Sequence, residues 1–320
     1  MNVLLLSGGR RTSLLAAFRS AVAPSGGSVV VADVDGLAPA ALMADQACQV
    51  PLVSDPGYGA AVLSLVSDAG IDIVVPTIDT ELSTLASLGS DLAAAGALAL
   101  VSSVDTLHVT GDKAQTFRFF SELNVRTPRS WIADELVGAE LPEKLFVKPR
   151  FGSSSAGAQP TTRGELQSVL PLVRDPIVQE RIEAPEVTAD ALLDLQGRLV
   201  HYVPRLRLKT VGGESVQGRT IDDKPFREWV VRVFEELGDL GAIGPQTLQF
   251  FLTDGEPTLL EINPRFGGGF PLAYEAGARY PEWIIAMHAG RRPETAVGSY
   301  TRDLYMTRTL VETFVEAPLW

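Results

Sequence analysis

The sequence predicts an α/β unit on a parallel sheet followed by an α+β region, and three observations carry that expectation. From residue 1 to about 105, short continuous apolar runs alternate with segments of helical spacing. Continuous apolar runs mark strands buried on both faces, and their alternation with helices marks crossover connections. After about 105 the alternation stops, and "TLQFFL", "TDGEP" and "TLLEIN" read as a β-hairpin with Asp-Gly in its turn. The chain has 320 residues, 46% of them hydrophobic, enough for a sizeable core. Its length predicts two or three domains.

Taken in order, "NVLLL" is the first buried strand, and "SGGRRTSLLAAFRSA" a glycine turn leading into a helix. "SVVVADVD", "IDIVVPT" and "ALALVSS" are further strands, with "GYGAAVLSLVSDAG" and "TELSTLASLGSDLAAAG" as helices between them. A dinucleotide fingerprint would need G-x-G-x-x-G after the first strand and an acid about 20 residues on. Asp33 and Asp35 stand at that distance, but the turn reads S-G-G-R-R, so nicotinamide binding is not expected. Thr77, Asp79 and Glu81 follow the third strand. They either cap the next helix and complement its dipole, or face a cleft and bind a substrate ammonium.

Bulk properties exclude several classes. A net charge of −12 argues against a nucleic-acid partner, which normally meets a basic face. The single cysteine, Cys48, precludes an internal disulfide framework, and its setting in "QACQVP" predicts a buried structural thiol. The opening "MNVLLLSGGRR" is too short in its apolar part for a signal peptide, and no run of about 18 apolar residues exists. The expectation is a cytoplasmic chain with no membrane partner.

The second part holds the candidate site. "TGDKAQTFRFFSELNVRTPRSW" predicts a helix capped near Thr110 or Asp112, with Lys113 in its first turn. Lys148 lies in the apolar strand of "LFVKPRFGSSSAG", ahead of Gly152, Ser153, Ser154, Ser155 and Gly157. A glycine-serine backbone can wrap phosphate oxygens, and a nearby lysine supplies charge. "PIVQERI" runs through a proline corner into "EVTADALLD", and such a segment between lobes can hold a flat base by its amides and carbonyls. In "HYVPRLRLKT", Arg205, Arg207 and Lys209 share one strand face, either as a solvated edge or opposite acids or an anion. In the hairpin, a three-residue loop over 254–256 pairs Gln249 with Glu261, whereas a two-residue loop sets Gln249 opposite Leu260. In the first register Gln249, Glu261 and Asn263 form one patch of hard oxygen ligands suited to magnesium, with Arg265 just beyond.

The ordered set Lys113, Lys148 with "KPRFGSSSAG", "QERI…PEVTAD" and "LQFF…LLEINPR" resembles the ATP-grasp superfamily. The nearer likeness is to the branch of the carbamoyl-phosphate synthetase large chain and related carboxylate–amine ligases. The resemblance covers residues 1 to about 290. It implies a Rossmann-like pre-ATP-grasp domain over 1–106 and a two-lobed ATP-grasp domain. The latter divides into central helices with a small lid lobe (107–182) and a C-terminal lobe (183–292), followed by a tail (293–320). It implies that Lys113 and Lys148 bind nucleotide phosphates with the loop of Gly152, Ser153, Ser154 and Ser155. Glu180, Arg181 and the Ile182 backbone match the adenine hinge, and Glu186 the ribose-binding acid. Gln249, Glu261 and Asn263 match the ligands of two Mg2+ ions, which Mn2+ can replace. Gln249 stands where many members have Glu. Arg265 matches the arginine that stabilises an acyl phosphate, and Lys209 and Arg205 join it as candidate catalytic residues. The glycines 267–269 replace the Gln-Val-Glu-His stretch of biotin carboxylases, so bicarbonate–biotin chemistry is not expected.

The resemblance implies an ATP-dependent ligase joining a small carboxylic acid or amino acid to an amine or thiol through an acyl phosphate. A carboxylate or carbamate kinase-like enzyme and a non-catalytic nucleotide-binding protein are the alternatives. "FGSSSAG" and "TVGGESVQGRT" are the lid candidates that would exclude water. The expected partners are small molecules, and a homodimer is one arrangement that the resemblance allows.

Overall fold

The computed structural model describes residues 1–152 and 157–320. The first five strands are β1 (Val3–Leu6), β2 (Val29–Asp33), β3 (Gln46–Gln49), β4 (Ile73–Val75) and β5 (Leu98–Ala99). They form one parallel sheet in the order β3-β2-β1-β4-β5. Every residue of β1 and β2 is buried, which is why these stretches read as unbroken apolar runs. β3 has no such signature. Its sequence, QACQ, places exposed glutamines at both ends of an edge strand that needs only one neighbour. Cys48 on it is therefore half-buried rather than fully buried, and burial still pushes its thiol up, away from nucleophilic reactivity.

The segment "TELSTLASLGSDLAAAG" is not one helix. It divides into a 3₁₀ turn at Asp79–Glu81 and helices Leu82–Ser87 and Gly89–Ala94, broken at Leu88. A further helix, Val104–Gly111, precedes the helix Lys113–Glu122. Ser103 caps the first through the Thr106 N–H, and Asp112 caps the second through the Ala114 N–H.

Two antiparallel sheets follow. The smaller has the order β6-β9-β7-β8, from β6 (Ser130–Ile132), β7 (Lys144–Pro149), β8 (Gln159–Thr162) and β9 (Pro176–Glu180). The larger has the order β14-β13-β10-β11-β12-β15. Its strands are β10 (Glu186–Leu193), β11 (Leu199–Val211), β12 (Glu214–Thr220), β13 (Gly244–Thr253), β14 (Glu256–Asn263) and β15 (Tyr305–Thr307). The strand carrying Arg205 is thus interior and not a solvated edge. Tyr305–Thr307, in the stretch expected as a tail, supplies an edge strand instead.

One apolar cluster runs from β1 and β2 to Phe266, Phe270 and Tyr280, joining the parallel sheet to the chain that follows the hairpin. Another packs the helices Lys113–Glu122 and Arg227–Asp239 on the large sheet. No helix among the described residues is long and apolar enough to cross a membrane.

Candidate active site

The β13–β14 hairpin closes with two residues, Asp254 and Gly255, because Thr253 pairs with Glu256. Both turn residues have positive φ, 51° and 84°, the backbone that a tight hairpin turn requires. This is the shorter of the two loops expected, yet Gln249 still pairs with Glu261. A β-bulge between Gln249 and Phe250 leaves Leu260 unpaired and restores the register. Thr247 then faces Asn263, and Asn263 Nδ2 donates to Glu261 Oε1 at 2.8 Å. Gln249 Nε2 donates to Glu186 at 2.8 Å, so Gln249 turns its donor away from the patch. A glutamine, a glutamate and an asparagine offer hard oxygens from adjacent strands. That donor set fits Mg2+, which takes few protein ligands and fills its shell with water and phosphate.

Glu261 lines three cavities. The first, about 300 Å³, lies between the two antiparallel sheets. Lys113, Lys148, Gly152, Glu180, Arg181, Ile182 and Glu186 all reach it. Ser153, Ser154 and Ser155 lie outside the described residues. The second, about 120 Å³, is walled by Arg11, Arg205, Arg207, Arg265 and Gly267–Gly269. The third, about 70 Å³, is bounded by Asp79, Lys113, Gly152 and Asn263.

Lys113 is the first residue of its helix, and its Nζ donates to Gly152 O at 2.6 Å. Arg150 forks onto Asp112 at 2.7 and 2.5 Å, tying the helix start to the end of β7. Lys148 is 7% exposed. Burial pulls it down to about 8 from the ordinary lysine range; Glu261 and Glu186 oppose the shift and Lys113 adds to it. The Glu180 carboxylate is occupied by Arg129, through its Nε at 2.8 Å and its backbone N–H at 3.0 Å. The Glu180 backbone N–H donates to Arg129 O at 2.9 Å, so what Glu180 has left to offer the cavity is its backbone carbonyl. Glu186 accepts from Arg207 as well as from Gln249.

Arg265 Nη2 donates to Asp79 at 2.5 Å and to Asn263 Oδ1 at 3.2 Å, linking the hairpin to the turn after β4. Glu81 is fully buried and accepts from Thr77 N, Ser7 Oγ, Tyr58 OH and Ile78 N at 2.6 to 3.1 Å. It is a brace for this turn with no oxygen to spare, so of the two acids only Asp79 reaches the cleft.

Arg205 is 2% exposed and donates from Nε to Asp190 at 2.7 Å. The glycine run makes room for this pair. A Cβ on Gly269 would lie 2.3 Å from Arg205 Cζ, and one on Gly267 would lie 2.8 Å from Asp190 Oδ1. Lys209 is not brought together with these residues. The ladder shifts on both sides of it, its side chain is exposed, and it lines none of the three cavities. "TVGGESVQGRT" is the β11–β12 hairpin, turning at Gly212 and Gly213 with positive φ.

Sequence reasoning missed Arg11 and Asp190, and it named Glu186 without its pairing to Arg207. Arg11 had one available signal, its place just beyond the carboxyl end of a parallel strand. Asp190 had none, because alternation on a buried strand does not distinguish an acid that meets a cation across the ladder.

Two family descriptions match. "PylC-like, N-terminal domain" covers residues 3–100, and "ATP-grasp in the biosynthetic pathway with Ter operon" covers 173–309. No curated protein matches the chain. Among solved structures it is similar to the biotin carboxylase domain of 2-oxoglutarate carboxylase from Hydrogenobacter thermophilus, solved with MgADP, ADP and bicarbonate. That TM-score is 0.77 at 15% identity, covering 95% of this chain and 73% of that one. N5-carboxyaminoimidazole synthetase from Staphylococcus aureus, complexed with ADP, scores 0.72 at 15% identity, covering 92% and 79%. L-amino acid ligase from Bacillus licheniformis scores 0.68 at 19% identity, covering 89% and 73%. At these identities the structures speak for the fold alone, which is that of ATP-grasp proteins; residues 3–100 are similar to a PylC-like N-terminal domain and residues 173–309 to an ATP-grasp family.

Proposed function

We propose that the chain is an ATP-dependent ligase that joins a small carboxylic acid to an amine or thiol through an acyl phosphate. One observation carries this reading: Glu261 stands where a cavity lined by two lysines meets an arginine-walled one. Those are the surroundings that a triphosphate tail and a carboxylate need to meet. The ADP and MgADP complexes of the structurally similar proteins support the nucleotide half of the reading.

In this reading Lys113 and Lys148 bind the phosphates, and the backbone from Glu180 to Ile182 holds the base. Glu186 is the candidate for the ribose. Gln249, Glu261 and Asn263 would hold Mg2+, which neutralises phosphate charge when bound. A substrate carboxylate oxygen attacks the γ-phosphorus, the bond to the ADP oxygen breaks, and an acyl phosphate forms. The amine then attacks the acyl carbon. Arg265 donates to the oxyanion, phosphate leaves with the bonding pair, and the amine proton passes to solvent. Phosphate release should require acid and amine together. Release that proceeds at full rate with acid alone would show a kinase-like reaction instead.

Lys148 makes the nucleotide step pH-dependent. Phosphate favours the charged lysine, so binding takes up a proton once the free group has begun to titrate. Affinity for a non-hydrolysable ATP analogue should fall as pH rises through about 8, by at most tenfold per unit. In the unliganded chain the sign is opposite. Between about 8 and the ordinary lysine value of about 10.4 the unfolded state binds more protons, so stability rises across that window. Lys148→Ala should weaken the analogue at least tenfold at pH 7 and remove the proton uptake, while Lys209→Ala changes affinity less than twofold. Calorimetry in buffers of different ionisation enthalpy reads both, and equal losses in the two variants would refute this division of roles.

A further inference from the structure

The 300 Å³ cavity draws its two lysines from different elements. Lys113 opens the helix Lys113–Glu122, and Lys148 lies on β7 of the small sheet. Both line the cavity, and Lys113 acts on Lys148 as a like charge. Like charges repel, so other contacts must hold the pair together. Lys148 Nζ rests over the Phe117 ring, 5.4 Å from its centroid, and Phe117 is one turn along the same helix from Lys113.

The start of that helix is fastened to the end of β7 through Arg150. Arg150 Nε donates to Asp112 Oδ1, and Nη2 donates to Oδ2. Asp112 Oδ1 also accepts from the Ala114 N–H, so the carboxylate that caps the helix is the one that holds the arginine. The Asp112 side chain is 9% exposed and that of Arg150 26%, which shields much of the fork from water. The backbone closes the same joint. Lys113 N donates to Arg150 O at 3.2 Å, and Asp112 forms a β-bridge with Phe151. Arg150 N donates to Asp175 O at 2.9 Å, at the entry to β9. Lys113 Nζ, which this joint carries, is bonded to Gly152 O, a neutral acceptor weaker than a phosphate oxygen.

Arg150 itself lines none of the three cavities that Glu261 borders, although Pro149 and Phe151 on either side of it line the first. Glu135 and Asp175 also attract its charge, more weakly than Asp112 does. Two parallel N–H···O bonds fix an orientation as well as a distance, which a single ammonium does not.

We propose that Arg150 is a positioning residue for nucleotide binding: through its fork on Asp112 it sets Lys113 beside Lys148 for the phosphate tail, without itself meeting the nucleotide. The proposal rests on the ligase reading and adds to it a residue outside the cavity.

A double-variant cycle tests it, with Mg2+ and a non-hydrolysable ATP analogue titrated calorimetrically into the full chain. Arg150→Ala should weaken the analogue about tenfold, and Arg150→Lys, which can make one bond but not the fork, should fall between. Adding Arg150→Ala to Lys113→Ala should cost less than about twofold more, because the group being positioned is gone. An affinity in Arg150→Ala within twofold of wild type would overturn the proposal. So would losses that multiply in the double variant, since the arginine would then meet the nucleotide itself or loosen the lobe in general. Asp112→Asn keeps the helix cap and removes the charge. It should weaken the analogue at least about threefold with little change in melting temperature, and an unchanged affinity there would overturn the proposal even if Arg150→Ala folds poorly. Wild type is titrated first. Its failure to bind the analogue would remove the ligase reading and the proposal with it, whereas a failed cycle on a wild type that binds removes the proposal alone.

Discussion

Glu261→Ala is expected to lower acid- and amine-dependent ADP release by about 10³-fold or more, while the fold survives. Removing a single oxyanion donor already costs about 10²–10³ in rate. Glu261 is the one full negative charge in the oxygen patch, and it borders all three cavities. Its structural part is small. It accepts one side-chain hydrogen bond, from Asn263, and the loss of such a bond costs about 1 kcal/mol. Steady-state assays with a coupled ADP readout, beside a thermal melt, separate the two effects. A variant that keeps near wild-type turnover would remove Glu261 from the chemistry, and with it the metal assignment of Gln249 and Asn263.

The second large effect concerns stability. Asp190→Ala should destabilise the protein by about 3–5 kcal/mol, because it leaves the Arg205 guanidinium buried and uncompensated. Both residues are 2% exposed, and Gly269 packs so closely on the guanidinium that the arginine has no room to turn toward solvent. Replacing both partners, Asp190→Leu with Arg205→Met, removes the charge problem and should cost much less than the single change. Urea unfolding of the three variants measures the difference. A loss below about 1 kcal/mol for Asp190→Ala would mean that water reaches Arg205, contrary to its burial. Gly269→Ala belongs to the same test, since its Cβ forces the pair apart without altering a charge.

Ion pairs of this kind mark the boundary of what the chain discloses in one dimension. Buried strands such as β1 and β2 are legible because burial on both faces demands a run of apolar residues, broken only at the end of β2 by Asp33. β3 is not, because an edge strand with exposed ends asks nothing distinctive of its sequence. Counting residues leaves two registers open, and the two-residue turn that forms is the one expected to set Gln249 opposite Leu260; Gln249 pairs with Glu261 all the same. The turn is one residue shorter, and a bulge at Leu260 compensates. Counting cannot separate these routes, since a bulge depends on the local twist of the ladder.

By itself the sequence determined the alternation that builds the parallel sheet, and the β-hairpin. Both rest on periodicity within a short stretch, where local backbone geometry governs side-chain direction, whereas the two lysines and the Gln249–Glu261–Asn263 patch are named as a set through the family resemblance. Tertiary structure alone decided that Arg205 is a buried partner of Asp190, that Lys209 stands apart from the site, and that Glu81 braces a turn. It also decided that Arg265 reaches Asp79 and that Arg11 enters the second cavity. Arg265 and Asp79 lie 186 residues apart, and Arg11 and Phe266 255 apart. Whether a charge is a ligand, a brace or a bystander depends on which opposite charge folding brings within about 4 Å of it, and no local pattern encodes that distance.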